Sequence, residues 1–342
     1  MSFEIIRPIP QAEEIRQKIF LSEALKRVKD ARDLELRDIF EGKSNKFLVI
    51  VGPCSAHDED AVVDYALRLA QVQEKVKEKL FLVPRVYTNK PRTTGEGYKG
   101  MLHQPDPNQE PNMVDGIIRI RKMHARVIEE TGLAPADEML YPDNLGYVED
   151  MLSYIAIGAR SVENQEHRLA ASGISVPVGM KNPTSGDLQV MFNSIIAAQA
   201  SHNFIYQGAE VKTSGNPLCH AILRGSVSKH GENIPNYHYE DLLFASALYV
   251  KHNLLNPMIV VDTNHANSRK QYAEQPRIAK EVLHSRKYNT VIQQMVRGIM
   301  LESYIAEGSQ SISENVYGKS ITDACLGWPE TEKLLYYMAE NV

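Results

Sequence analysis

Cys54 stands where the apolar run FLVIVG breaks at Gly52-Pro53, just ahead of the acidic start of a helix in SAHDED. A free cysteine packs as a small hydrophobe or, as a thiolate, serves as ligand or nucleophile. That stretch alone leaves both readings open. Farther along the chain, His265 lies in NHANS, Glu302 in LESY and Asp323 in KSITDAC. One thiolate, one imidazole and two carboxylates form a mixed soft and hard set, which suits a borderline divalent transition ion better than calcium or magnesium. The four are dispersed and carry no spacing signature, and NHANS alone reads equally well as a helix-capping loop. A second group is cationic: Arg85, Lys90, Arg92, Arg160, Lys181 and Arg224. Arginine grips carboxylate or phosphate with two parallel donors, and lysine adds a point charge. Arg85, Arg160, Lys181 and Arg224 follow apolar runs, where an unpaired charge is costly to bury. The set calls for more than one anionic group on the ligand side.

What brings such scattered residues together must be the fold. β-rich runs begin near Phe47 (FLVIVG), Phe81 (FLVPRVY), Pro135 (PADEML), Ile155 (IAIGAR), Val176 (VPVGMK), His220 (HAILRG), Met258 (MIVVDT) and Ile299 (IMLE). Helical patterns separate most of them, as at 58–79, 113–131, 187–200 and 239–252. Eight runs alternating with helices predict parallel βαβ units and a (β/α)8 barrel, with a doubly wound sheet as the alternative. In a barrel the active site forms at the C-terminal ends of the strands. Every residue named above falls there, as does Glu138 in the third run.

Two segments stand outside the alternation. Residues 10–41 repeat apolar side chains (Ile15, Ile19, Leu25, Val28, Leu36, Ile39) at helical spacing and predict a helix, continuous or interrupted. This makes 1–44 an N-terminal extension, in contact with another copy through its apolar face, and 45–342 the catalytic barrel. Residues 203–213 (NFIYQGAEVKT) predict a short β-hairpin around Gly208, inserted before strand six.

A net charge of −5 argues against a protein built around nucleic-acid phosphates. No apolar run reaches the roughly 18 residues of a membrane span. The start has no signal-peptide pattern, and three well-separated cysteines make no disulfide framework, so a reduced cytoplasm is expected. GEGYKG, residues 95–100, matches a dinucleotide fingerprint, but no strand precedes it and a proline-rich loop follows. Dinucleotide binding is not expected.

GPCS together with KPRTT (90–94) resembles the type I (alpha-subclass) 3-deoxy-D-arabino-heptulosonate 7-phosphate (DAHP) synthases. The resemblance continues through RVY, AIGAR, PVGMKN, ILRG, NHANS, LESY and YGKSITDACLGW, from about Phe47 to the end. It implies a transferase that condenses phosphoenolpyruvate with erythrose 4-phosphate and water, opening the shikimate route to aromatic amino acids. The implied metal ligands are Cys54, His265, Glu302 and Asp323, holding one divalent ion such as Mn2+, Fe2+ or Co2+. The implied phosphoenolpyruvate site is Arg85, Lys90, Arg160, Lys181 and Arg224. The implied erythrose 4-phosphate site is Lys90, Pro91, Arg92 and Thr93, with Asp323 nearby. Lys90 would move a proton to the aldehyde oxygen, and Glu138 is one candidate to activate the water. A homo-oligomer, dimer or tetramer, is also implied.

KPRTT distinguishes the chain from sister synthases that take arabinose 5-phosphate, which remain the alternative reading. A catalytically dead binding barrel is disfavoured, since all four ligand types are present. Cys325, two residues from Asp323, is placed to pair with Cys54 when oxidised. The hairpin lacks the longer tip of feedback-regulated relatives, and Pro183 stands where they often have glycine. Both departures predict weak or absent inhibition by aromatic amino acids.

Overall fold

The structure, a computed structural model, describes residues 2–342. Eight parallel strands form its centre: β1 (Phe47–Gly52), β2 (Leu80–Pro84), β3 (Ala136–Glu138), β4 (Tyr154–Ile157), β5 (Val178–Lys181), β6 (His220–Leu223), β7 (Ile259–Asp262) and β8 (Val296–Glu302). They lie in the order β2-β1-β8-β7-β6-β5-β4-β3. A parallel bridge between Arg85 and Ala136 joins the two ends, so the sheet closes into a (β/α)8 barrel. Because both faces are covered, the strands read as continuous apolar runs rather than alternating ones.

Alternation still sorts the side chains. Leu48, Ile50, Phe81, Val83, Ala156, Ile222, Val260 and Met300 fill the interior. Val49, Val51, Leu82, Ile155, Leu223 and Val261 pack outward against the helices.

The extension forms two helices, Ala12–Lys18 and Glu23–Phe40. Ser22 starts the second by accepting a hydrogen bond from the Leu25 amide, 3.3 Å. Leu36, Ile39 and Phe40 from that helix join the interior cluster and plug the N-terminal end of the barrel. Part of the apolar face expected to meet another copy is therefore buried within the same chain.

Residues Asn203–Tyr206 and Ala209–Lys212 pair antiparallel across Gln207-Gly208, both at positive φ (50° and 78°). This is the two-residue turn whose twist matches that of a hairpin. Phe204 and Tyr206 share its half-buried face, and the Tyr206 hydroxyl donates to the Pro142 carbonyl, 3.1 Å. A second small hairpin, Ser226–Val227 with Asn233–Ile234, follows β6 and was not expected from the sequence. GEGYKG lies in a loop, with no helix opening on it.

Candidate active site

The loops leaving the C-terminal ends of the strands enclose a cavity of about 170 Å3. All five residues assigned to phosphoenolpyruvate line it, as do Pro91, Arg92, Glu138, His265 and Asp323. Thr93 is on its edge, where its hydroxyl accepts from Arg160 Nε at 2.9 Å. The structure adds Lys270, so seven cations face two carboxylates, Glu138 and Asp323. Lys270 is a surface lysine in sequence terms, and only the turn after β7 brings it in. That turn places His265 at φ 54° and Lys270 at φ 61°. Strained backbone of this kind persists where the surrounding structure holds a functional side chain in place.

Arg224 is the most telling cation. Its side chain is buried in the cavity wall, and its Nη1 has no hydrogen-bond partner among the described residues. Burial pushes the guanidinium down from its ordinary value, partly offset by Asp262, and Arg160 adds repulsion. Its backbone is fixed from both sides: the Arg224 amide donates to Asn182 Oδ1 at 2.9 Å. Gly225, the last residue of ILRG, is at φ 72°, and a Cβ there would come within 2.7 Å of the Asn267 amide. A second glycine does similar work in AIGAR. A Cβ on Gly158 would meet Glu138 Oε1 at 2.5 Å, so this glycine makes room for the carboxylate.

Beneath the cavity, Cys54, Glu302 and Asp323 bring their ligand atoms within 4.8 Å of one another. His265 is outside that mutual set, with its Nε2 3.8 Å from Glu302 Oε1. Lys90 reaches in from the KPRTT loop, donating from Nζ to the Cys54 sulfur at 2.9 Å and to the Cys54 carbonyl at 3.0 Å. Burial opposes the Lys90 charge, but Cys54 and Glu302 outweigh it and hold the ammonium above its ordinary value. Burial, then Glu302, pushes the Cys54 thiol up. Glu302 stays ionised: burial works against it, and Arg85, His265 and Lys90 outweigh that. Burial also pushes His265 down, which favours the neutral imidazole a metal requires. The thiol, the imidazole and the carboxylates converging here fit a borderline divalent ion. Cys325 presents its sulfur to the Cys54 amide at 3.4 Å, and both cysteines are free thiols.

Two residues differ in use from the sequence expectation. Arg85 is fully buried and already committed: its Nη2 donates to Glu302 Oε1 at 2.7 Å and its Nε to the Pro53 carbonyl at 3.1 Å. Its charge acts from below the cavity rather than as a free fork. Asp262, which the sequence reading missed, ends β7 and is completely buried. It accepts from Lys181 Nζ at 3.1 Å and lies 2.9 Å from His265 Nδ1. One carboxylate thereby holds a phosphoenolpyruvate candidate by a hydrogen bond and lies within ion-pair distance of a metal-ligand candidate. The signal was present in the sequence, as an acid ending the apolar run MIVVD.

Among curated relatives, the chain is 39% identical to the phospho-2-dehydro-3-deoxyheptonate aldolase of Haemophilus influenzae, over 90% of this chain and 84% of that protein. It is also 39% identical to the Phe-sensitive enzyme of that name from Escherichia coli K12, over 90% and 87%. The solved structure of the aldolase from Francisella tularensis superposes with a TM-score of 0.92 at 31% identity, covering 100% of this chain and 98% of that one. Residues 18–336 match the family model described as the DAHP synthetase I family. With two relatives at that identity and a match over nearly its whole length, the chain belongs to the DAHP synthetase I family.

Proposed function

We propose that the protein condenses phosphoenolpyruvate with erythrose 4-phosphate and water to give 3-deoxy-D-arabino-heptulosonate 7-phosphate and inorganic phosphate. The observation that carries this reading is the buried Arg224 guanidinium, with an unpartnered Nη1, beside Arg160 and Lys181 and over the Cys54–Glu302–Asp323 cluster. An unpaired buried cation is costly, and a substrate bearing both a phosphate and a carboxylate relieves it.

Lys90, Arg160, Lys181 and Arg224 bind the phosphate and carboxylate of phosphoenolpyruvate, with Arg85 adding charge from below. Pro91, Arg92 and Thr93 take the aldose phosphate. Holding the two together turns C3 toward the aldehyde carbon, and such positioning contributes several kcal/mol. Cys54, His265, Glu302 and Asp323 would hold one divalent ion (Mn2+, Fe2+, Co2+ or similar), which when bound supplies Lewis acidity at the aldehyde. As the new C–C bond forms, Lys90 Nζ protonates the developing alkoxide. Water then adds at C2, with Glu138 one candidate to take its proton, and cleavage of the C2–O bond of the hemiketal phosphate releases inorganic phosphate. The exposed Phe3, Ile5 and Ile6 of the extension support a role for residues 1–44 in a homo-oligomer, dimer or tetramer, with 45–342 as the catalytic barrel.

The test is product formation from the two substrates before chelation, after it, and after re-adding each ion. Turnover with erythrose 4-phosphate, lost on chelation and restored by a transition ion, supports the reading. Preference for arabinose 5-phosphate, or activity indifferent to chelation, overturns it.

A further inference from the structure

The barrel is thinnest where it closes. Between β2 and β3 the ladder is reduced to the Arg85–Ala136 bridge, with the Val86 amide donating to the Ala136 carbonyl at 2.8 Å. Just above that seam a carboxylate takes over. Asp137 points away from the cavity toward the helix Met113–Thr131 and is buried. Its Oδ1 accepts from the Thr88 amide at 2.9 Å and from the Glu138 amide at 2.7 Å. Its Oδ2 accepts from Thr88 Oγ1 at 2.5 Å. Thr88 is two residues before Lys90, and Glu138 directly follows Asp137.

We propose that Asp137 is a positioning residue that fastens the Lys90-bearing loop to the strand bearing Glu138, with His124 as its backing. His124 is fully buried on the helix, with its Nδ1 2.7 Å from the Ile120 carbonyl. A carbonyl only accepts, so Nδ1 carries the proton and Nε2 of the neutral ring presents a lone pair. That Nε2 has no hydrogen-bond partner and lies 3.6 Å from Asp137 Oδ2. Burial raises the Asp137 carboxyl to about 7 and lowers His124 to about 4. The pair sits where a rim built only of substrate contacts would need neither residue, and it joins three elements: loop, strand and helix.

The inference rests on the proposed condensation, so its test has one arm that needs no turnover. In Asp137→Ala, the amides of residues 88–90 should exchange hydrogen faster than in the parent, while those of β5 and β7 keep their protection. In steady state, misplacing the proton donor Lys90 should cut kcat about ten- to a hundredfold, with the KM of either substrate changed less than kcat. Asp137→Asn keeps an acceptor for the Thr88 amide and offers an N–H to His124, and should restore most of the loss. Thr88→Val removes one hydroxyl without disturbing the fold and should show a milder version of the same split. Unchanged exchange at 88–90, or a loss carried by KM with kcat unchanged, overturns the proposal. An Asn variant as impaired as Ala overturns it too. Absence of condensation in the parent would count against the activity, and the exchange arm would still decide the clamp.

Discussion

The two ends of this barrel hold the same kind of residue in different company. At the N-terminal floor, Arg286 and Arg297 line a larger cavity, about 710 Å3, and the Nε of each is buried without a hydrogen-bond partner. Arg297 donates to the carbonyls of Ile39 and Phe40 at the end of the helix Glu23–Phe40. Arg32 donates to the Leu82 carbonyl at 2.7 Å and stacks on Phe81. At the C-terminal rim the cavity is a quarter of that size, and seven cations outnumber the carboxylates. Neither cavity volume nor an unpartnered guanidinium N–H therefore singles out the rim; its larger excess of cations over carboxylates does. At the floor Arg297 closes a helix, whereas at the rim Arg224 presents its charge to a cavity lined by six other cations.

If that difference is real, rim and floor substitutions should separate cleanly. The largest effect belongs to Lys90→Ala. Loss of a positioned proton donor costs about 10²–10⁴-fold in turnover, and the melting temperature should hold. Arg224→Ala should raise the phosphoenolpyruvate requirement and Arg92→Ala that of the aldose, each by about 2–5 kcal/mol. Steady-state kinetics beside thermal unfolding would check this, and equal effects on both substrates would refute the division. At the floor the signs reverse. Ile39→Ala leaves a cavity in the plug and should cost about 2–5 kcal/mol of stability, read by denaturant unfolding, with kcat and both KM values unchanged. A kinetic defect in Ile39→Ala would show that the ends are coupled.

Much of the rim was legible because Arg85, Arg160, Lys181, Arg224 and Glu302 stand at the ends of apolar runs, and barrel strands announce themselves as such runs. Cys54, Lys181 and Glu302 needed only the assumption of parallel closure to meet. Reading failed where a side chain acts inside the packing. His124 occupies a core position in an amphipathic helix, and Asp137 hides beside a more conspicuous carboxylate, so neither residue type nor period marks the pair. The plug formed by Leu36, Ile39 and Phe40 was read as a surface for another copy, because periodicity shows that a face is buried but not by what. The hairpin was legible from Gly208, but not that Phe204 and Tyr206 turn inward, leaving Ile205 exposed.

The smallest expected effect concerns pH, and it too separates the ends. Inside the floor, His220 is completely buried against Phe40. Its Nδ1 faces the Leu218 carbonyl at 2.9 Å, so Nε2 accepts from the Tyr154 hydroxyl at 2.7 Å. Burial lowers its pKa from the ordinary 6.5 to about 3. The folded protein thus keeps His220 neutral where the unfolded chain would bind a proton. A base with a depressed folded value contributes stability that is present above 6.5 and lost as pH falls toward 3. At pH 5 the unfolded chain gains about 2 kcal/mol from this one group, at 1.36 kcal/mol per pH unit below 6.5. His220→Gln removes that dependence and keeps an acceptor for Tyr154, so its unfolding free energy should fall less between pH 7.5 and pH 5 than the parent's. Its kinetics should follow the parent at both pH values, because His265 and the rim lie at the other end of the barrel. Identical pH dependence in parent and variant would show that His220 is not what makes the floor sensitive to acid.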